Sequence, residues 1–279
     1  MKERPSRPSS RPGRRPRVAA GTSWDALAHW YDGWVGEGGS EHHRRLAIPT
    51  VLTLLDPHPG ERILDVGAGQ GVLVPFLARA GAVIVGIDAS PRLLEMARRR
   101  HGRQATFLLG DATKLPAIEG LTASSFDAAV FLLSIQDMDP LDDVLAGTAW
   151  ALRPGGQVVI LLTHPSFRIP RQSGWGWDEN RKLTYRRIDR YLTPLPVPLR
   201  PLAGEPPTRS FHRPLQSYVN GLSDHGLYLD RMVEVPAEQL TTGTSSKKAD
   251  ALARREIPLF LGLRAFKAKE GCGPAESTR

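Results

Sequence analysis

The chain has 279 residues, 41% of them hydrophobic, and a formal net charge of +8; that is apolar material for one large α/β domain and too much for a disordered protein. No run approaches the roughly 18 consecutive apolar residues of a membrane-spanning helix, and the single cysteine, Cys272, excludes a disulfide framework and a cysteine metal cluster, so a cytoplasmic setting is expected and a metal site is not. The positive charge sits in two places: residues 1–17 carry seven Lys or Arg against Glu3, residues 165–215 carry ten against four acids, and the remaining 20 basic and 24 acidic residues leave the body mildly acidic.

The chain opens with MKERPSRPSSRPGRRPR, whose prolines prevent a helix and which has almost nothing apolar to bury. Residues 1–20 are therefore expected to be a disordered tail ahead of a single domain at 21–279. The tail lacks the apolar h-region of a secretory signal, and it cannot form the amphipathic helix usual in an organelle transit peptide. A nucleic-acid-binding arm and a solvated tail without specific function both fit it. Next comes TSWDALAHWYDGWV (22–35), with Trp24, Trp30 and Trp34, and then His42, His43, Arg44 and Arg45 before a helix that leads into the first strand.

From there apolar runs and helical patterns alternate. RILDV (62–66) is the first strand and ends in the glycine turn GAGQG. VLVPFLARAG (72–81) has helical spacing, and AVIVGID (82–88) is a buried strand. Ser90 then Pro91 marks a helix start over the following RLLEMARRRH. ATFLLGD (105–111) and SFDAAVFLL (125–133) are strands three and four. A helix over 139–152 stops at Arg153-Pro154-Gly155-Gly156, and QVVILLT (157–163) is strand five. Strands apolar on both faces that alternate with helices imply a parallel sheet covered on both sides. After a break of about fifty residues, a helix at 214–225, a strand at 227–235, a polar loop and a strand at 257–267 complete the pattern. The last two strands, with no helix between them, would make an antiparallel edge pair.

In such a sheet ligands bind at the carboxyl ends of the strands. Three acids stand there: Asp65, Asp88 and Asp111. A dinucleotide fingerprint needs a third glycine at the sixth position from Gly67, where Val72 stands, and Asp65 before the turn also argues against a nicotinamide dinucleotide. Asp88, 21 residues past Gly67, suits the two hydroxyls of a ribose. Asp111 suits the amine of an adenine, and Asp65 an ammonium, directly or through water. A nucleoside carrying an amino-acid tail satisfies all three, and that ligand is S-adenosylmethionine (SAM). Taken singly, each Asp is equally explained as a helix cap or turn former.

ILDVGAGQG (63–71), VGIDAS (85–90), LGDATKLP (109–116), SFDAAV (125–130) and LRPGG (152–156) resemble, in order and spacing, the motifs of class I SAM-dependent methyltransferases. Within that superfamily the chain is similar to the small-molecule group that includes ubiquinone and menaquinone biosynthesis enzymes. The likeness covers roughly residues 45–163 and, more weakly, 214–267. It implies a Rossmann-like, doubly wound α/β sheet of seven strands, mostly parallel with an antiparallel last strand, SAM as cofactor and a small-molecule acceptor. The cofactor-binding residues it implies are Tyr31, Asp65, Gly67, Ala68, Gly69, Asp88, Ala89, Asp111 and Ala112. Tyr31 enters because a Tyr-Asp pair recurs at the end of an early helix in that group; a core aromatic role fits it too. One of His42, His43, Arg44 and Arg45 would approach the methionyl carboxylate, unless the run is a solvated helix start.

Residues 164–213 are read as an insertion that acts as a lid: THPSFRIPRQSGWGWDENRKLTYRRIDRY (163–191) mixes Arg with aromatics, and six prolines from 194 to 207 argue for extended backbone. With Trp24, Trp30 and Trp34, its Trp175 and Trp177 would dehydrate the site, or merely staple the appendages down; Trp150 is read as core. His164 is the catalytic candidate, ahead of His212 and Asp137, though a dedicated base is not required. Alternatives to a small-molecule methyltransferase are one acting on RNA or protein and a non-catalytic SAM-binding protein. LLSIQDM after the fourth strand lacks the NPPY-like tetrapeptide of base-amine methyltransferases, so nucleic acid is not the favoured partner.

Overall fold

The computed structural model describes residues 24–199, 208–237 and 248–269; the tail at 1–20, Cys272 and Pro201, Pro206 and Pro207 lie outside them. In chain order the elements begin with α1 (Ala28–Val35), a wide turn at His43–Ala47 that runs into α2 (Ile48–Leu55), β1 (Arg62–Val66), α3 (Val74–Arg79), β2 (Val83–Asp88), α4 (Pro91–His101) and β3 (Ala105–Leu109). A 3-10 segment at Ala112–Ala117, β4 (Phe126–Leu132), a 3-10 turn at Ile135–Asp137, α5 (Leu141–Ala151) and β5 (Leu152–Thr163) follow. Then come β6 (Ser173–Asp178), β7 (Leu183–Ile188), β8 (Leu195–Pro198), β9 (Arg209–His212), α6 (Leu215–Asp224), β10 (Leu227–Pro236), α7 (Lys248–Glu256) and β11 (Pro258–Lys267).

Seven strands form one sheet in the order β10-β11-β5-β4-β1-β2-β3. β1, β2, β3, β4 and β5 pair in parallel, and β11 runs antiparallel to both β5 and β10. The expected Rossmann-like α/β sheet with an antiparallel last strand is thus present. The central strands β1, β4 and β5 are Val-, Ile- and Leu-rich because both faces are covered. One face packs Leu64, Val66, Phe126 and Phe131 against α5 and α6; the other packs Ile63, Ile84, Val130 and Leu161 against α2, α3 and α4.

Three expectations need correction. The helix read at 72–81 is only six residues, because the glycine turn runs on to Leu73. The polar loop between the last two strands contains α7, which polar residues on its outer face had disguised. The stretch 164–213 is not one cover but two separate hairpins. β6–β7 leans on α7, where Thr184 Oγ1 donates to Asp250 (2.6 Å). β8–β9 lies against the turn after β4, where Ser210 Oγ comes within 3.4 Å of Gln136 O. Pro194, Pro196 and Pro198 do sit in or beside extended β8.

Candidate active site

The period-2 alternation of β1 decides where Asp65 points. Leu64 and Val66 face α5 and α6, so Ile63 and Asp65 face α2–α4. Asp65 pairs across the ladder with Gly86 of β2, and Asp88 lies two residues on, on the same face. Asp65 is 2% exposed, and burial, then the charge of Asp88, pushes its carboxyl up to about 7. Burial also raises Asp88, against the pull of three backbone donors: Ser90 N–H to Oδ1 (2.8 Å), Gly69 N–H to Oδ2 (2.9 Å) and the N–H of Ala89.

The chain leaves β1 through Gly67, Gly69 and Gly71, at φ of 76°, 54° and 83°, a region costly for any residue with a Cβ. Gly67 and Ala68 both donate to Ile87 O (2.9 Å each), which ties the turn to β2. The three glycines have different neighbours. A Cβ on Gly67 would stand 2.6 Å from Ser134 Cβ, and one on Gly71 2.9 Å from the His101 ring of α4. At Gly69 only Tyr31 Cε1 comes near, at 3.8 Å. Packing against Ser134 therefore accounts for the bare backbone at Gly67, and of the two glycines expected to pass close under a ligand only Gly69 has room on that side. Ser134 itself donates to Val66 O (2.6 Å), closing the base of the turn.

Tyr31 arrives from α1. Burial, then Asp88, Asp137 and Asp65, raise its phenol far above the usual range, so it stays a protonated donor among three carboxyls. Its ring meets Trp24 edge-on at 5.2 Å between centroids. Two acids fix α1 there. Asp32 accepts from both terminal nitrogens of Arg100 on α4 (2.6 and 2.9 Å), and Asp25 accepts from Ser90 Oγ (2.8 Å) and Arg92 N–H (2.9 Å) at the start of α4. Trp30 and Trp34 stack on each other at 6.1 Å on the exposed outer side, and Trp150 is half-buried against the core.

Asp137 closes the cluster from the turn after β4. It accepts from the hydroxyl of Ser210 on β9 and the indole of Trp24, and burial still pushes it up to about 7 despite those bonds and the nearby Arg213. The start of the chain and the second hairpin of the insertion thus meet on one carboxylate. Nothing local in the sequence pairs Trp24, Asp137 and Ser210; only the fold does. Asp111 behaves as a cap: its Oδ1 accepts from Thr113 N–H (3.0 Å) and Oγ1 (2.8 Å). Ala89 is exposed, whereas Ala68 and Ala112 are buried.

The histidines go elsewhere. His164 Nε2 bonds Glu234 of β10 (3.0 Å) and its Nδ1 accepts from Ser166 N–H (3.2 Å), so both ring nitrogens are taken and burial lowers its pKa. His212 Nε2 bonds Tyr191 O (2.6 Å). His43 is buried, bonded to Ser40 (2.8 Å) and held down at about 4 by desolvation. Arg44 bonds Gly39 O, and Arg45 pairs with Glu41 (3.1 Å). None of these bonds joins the run to the carboxyls; Arg44 and Arg45 are exposed at the start of the helical turn, while His43 is buried.

What results is rich in acceptors and poor in cations. Asp65, Asp88 and Asp137 converge, Gln136 Oε1 is buried without a partner among the described residues, and Arg213, the guanidinium that acts on Asp137, is already paired with Asp139 (2.7 Å). A pyrophosphate misfits such a place, whereas a cation bearing hydroxyls fits it. Asp88 accepts from the backbone of Gly69, Ser90 and Ala89, and its oxygens would share their remaining lone-pair capacity with ligand hydroxyls. Asp65 would be drawn into its ionised form by an ammonium, and Tyr31 would supply the one donor a carboxylate tail needs.

Residues 64–160 match the family described as a methyltransferase domain. The demethylmenaquinone methyltransferase of Tropheryma whipplei (strain Twist) is 36% identical over 127 residues, which are 44% of this chain and 49% of that protein. The protein of the same name from Corynebacterium kroppenstedtii is 31% identical over 149 residues, 53% and 60% of the two chains. The chain thus spans about half the length of the curated relatives it matches. Among solved structures, a SAM-dependent methyltransferase from Mesorhizobium loti superposes with a TM-score of 0.63 at 25% identity, covering 78% of this chain and 96% of that one. A protein from Listeria monocytogenes described as a putative SAM-dependent methyltransferase shares the fold, with a TM-score of 0.64 at 21% identity over 80% and 97%.

Proposed function

We propose that this chain, whose residues 64–160 match a methyltransferase-domain family, is of the class I SAM-dependent kind, binds SAM and methylates a small molecule. The observation that carries the reading is the placement of Asp65, Asp88 and the protonated Tyr31 around the uncrowded side of Gly69. When bound, SAM supplies a methyl group on a positively charged sulfur, already activated for transfer. The protein then has to orient, dehydrate and move one proton. Asp88 takes the ribose hydroxyls beside its backbone donors. Asp65 pairs with the ammonium, and the Tyr31 hydroxyl donates to the carboxylate. Asp111 keeps Oδ2 for the adenine amine beside Ala112, while Ala68 and Ala89 border the nucleoside.

Asp137 is the proposed base in place of His164. Its carboxyl sits near 7, where a base works best at neutral pH, and it stands where the segment bearing Trp24 meets β9. The names of the curated relatives support an acceptor related to a quinone, taken in its reduced dihydroxy form: a ring hydroxyl gives its proton to Asp137 as its oxygen or the activated ring carbon takes the methyl, and the neutral thioether of the spent donor leaves. β8–β9, with Trp24, acts as the lid in this reading; β6–β7 does not. Incubation with methyl-labelled SAM and fractions of lipid extract, RNA and protein tests it. Label in the lipid or other small-molecule fraction, abolished in Asp137→Asn, is expected, and label confined to RNA or protein overturns it.

A further inference from the structure

Two guanidiniums in the insertion have no counter-charge among the described residues. Arg186 of β7 faces Trp175 of β6 across the ladder, and Arg168 reaches the same indole from the segment after β5; each lies 5.1 Å from the ring centroid. Both are half-buried, and neither forms an ion pair among the described residues. Arg168 spends Nε and Nη2 on the carbonyls of Pro258 (3.2 Å) and Ile257 (3.5 Å). Arg186 spends the same two atoms on Phe167 O and Ser173 Oγ (2.8 Å each). The Nη1 group of each is left over.

The carboxylates nearby are committed elsewhere. Asp178 accepts from the backbone of Asn180 and Arg181, Asp250 accepts from Thr184, Glu256 pairs with Arg255, and Asp189 pairs with Arg187. Holding two like charges against one indole in partly desolvated surroundings is costly unless an anion joins them. Desolvation and Arg186 press Arg168 down to about 10, so it remains charged at neutral pH. A cavity of about 310 Å³ opens beside Arg186; its apolar wall is Phe167, Leu183, Tyr185, Leu252 and Ile257, and Asp178, Arg181 and Glu256 also line it. None of these residues belongs to the carboxyl cluster.

We infer that Arg168, Arg186 and Trp175 form a binding site for the phosphoryl group of a small amphipathic molecule, whose apolar body lies in the cavity between the β6–β7 hairpin and α7. Two fixed positive charges match a phosphoryl dianion better than a single carboxylate, and two free Nη1 groups supply donors for its several oxygens. The indole, 46% exposed, covers one side and reports occupancy by its fluorescence.

The test titrates the full chain with inorganic pyrophosphate, and separately with vesicles of phosphatidylglycerol against phosphatidylcholine, following tryptophan fluorescence and melting temperature. Saturable binding of pyrophosphate is expected, weakened about tenfold to a hundredfold in Arg186→Gln if one charge-assisted hydrogen bond is lost. Arg187→Gln removes a cation that the register puts on the other face of the ribbon, and should leave binding unchanged. Saturation by phosphatidylglycerol vesicles alone, with the same dependence on Arg186, supports the site and identifies a lipid headgroup as the source. Arg168→Lys keeps the charge while removing the fork, and serves where Arg168→Gln does not fold. Absence of binding to either probe, or binding equally strong in Arg186→Gln and Arg187→Gln, overturns the inference. Methyl transfer is not read in any arm, so the result stands apart from the proposed activity.

Discussion

Replacing Asp88 with Ala acts on the ligand and on the turn at once. On the ligand side it removes the acceptor for two ribose hydroxyls. At about 1.5–3 kcal/mol for each bond to a charged group, discounted for non-additivity, the loss is roughly 2–4 kcal/mol, or about 30- to 900-fold in Kd. On the protein side the N–H groups of Gly69 and Ser90 lose their acceptor at 2.9 and 2.8 Å. That costs about 1 kcal/mol each, partly offset because a carboxylate raised by burial no longer has to be kept ionised. A fall in melting temperature of about 2–8 °C follows, at roughly 2–4 °C per kcal/mol for a chain of this size. Calorimetry with SAM and S-adenosylhomocysteine, run on a variant whose circular dichroism matches the parent, separates the two effects. A folded Asp88→Ala chain that binds within threefold of the parent would refute the ribose assignment.

Asp65 should make SAM affinity depend on pH. The ammonium needs its ionised form, so affinity should rise by up to tenfold per unit below about pH 7 and level off above it, and Asp65→Asn should flatten the calorimetric profile. The same group gives ligand-free stability the opposite trend: its folded pKa lies above the ordinary value of about 3.9, so stability is fully present below about pH 4 and is lost as pH rises through about 7, with Asp137 adding to the effect. Melting curves of the parent, Asp65→Asn and Asp137→Asn between pH 4 and 8 check the sign; a rise across that window would contradict the burial of both carboxyls. Asp137→Asn should lower kcat by about 10²–10⁴ while moving SAM affinity little, and an unchanged kcat would return the base to solvent. Gly67→Ala combines a φ of 76° with a Cβ 2.6 Å from Ser134, a cost of about 2–5 kcal/mol that should appear as a melting temperature lowered by about 4–20 °C; Gly69→Ala, which meets only Tyr31 at 3.8 Å, should cost the φ strain alone.

The sequence by itself determined what depends on neighbours along the chain. Apolar runs such as VVILL in β5 can only be strands buried on both faces, and Ser90-Pro91 carries its own helix cap, seen as Leu93 N–H donating to Ser90 Oγ (3.2 Å). The placing of Asp65 and Asp88 at adjacent strand ends follows from those strands alone. Tertiary structure decided everything that joins distant segments. Which face of β1 is α2's, and so where Asp65 points, depends on how the helices cross over. Tyr31 and Trp24 reach the carboxyls because Asp25 and Asp32 anchor α1 to α4, contacts 65 to 68 positions apart with no periodicity to announce them. His164 looked free at the end of β5 until β10 brought Glu234 to its ring. The insertion shows the limit most plainly: alternation and prolines reveal extended backbone, but a ribbon two strands wide has two faces and no local preference for what it leans on. Only the packed fold sent β8–β9 to Asp137 and β6–β7 to α7.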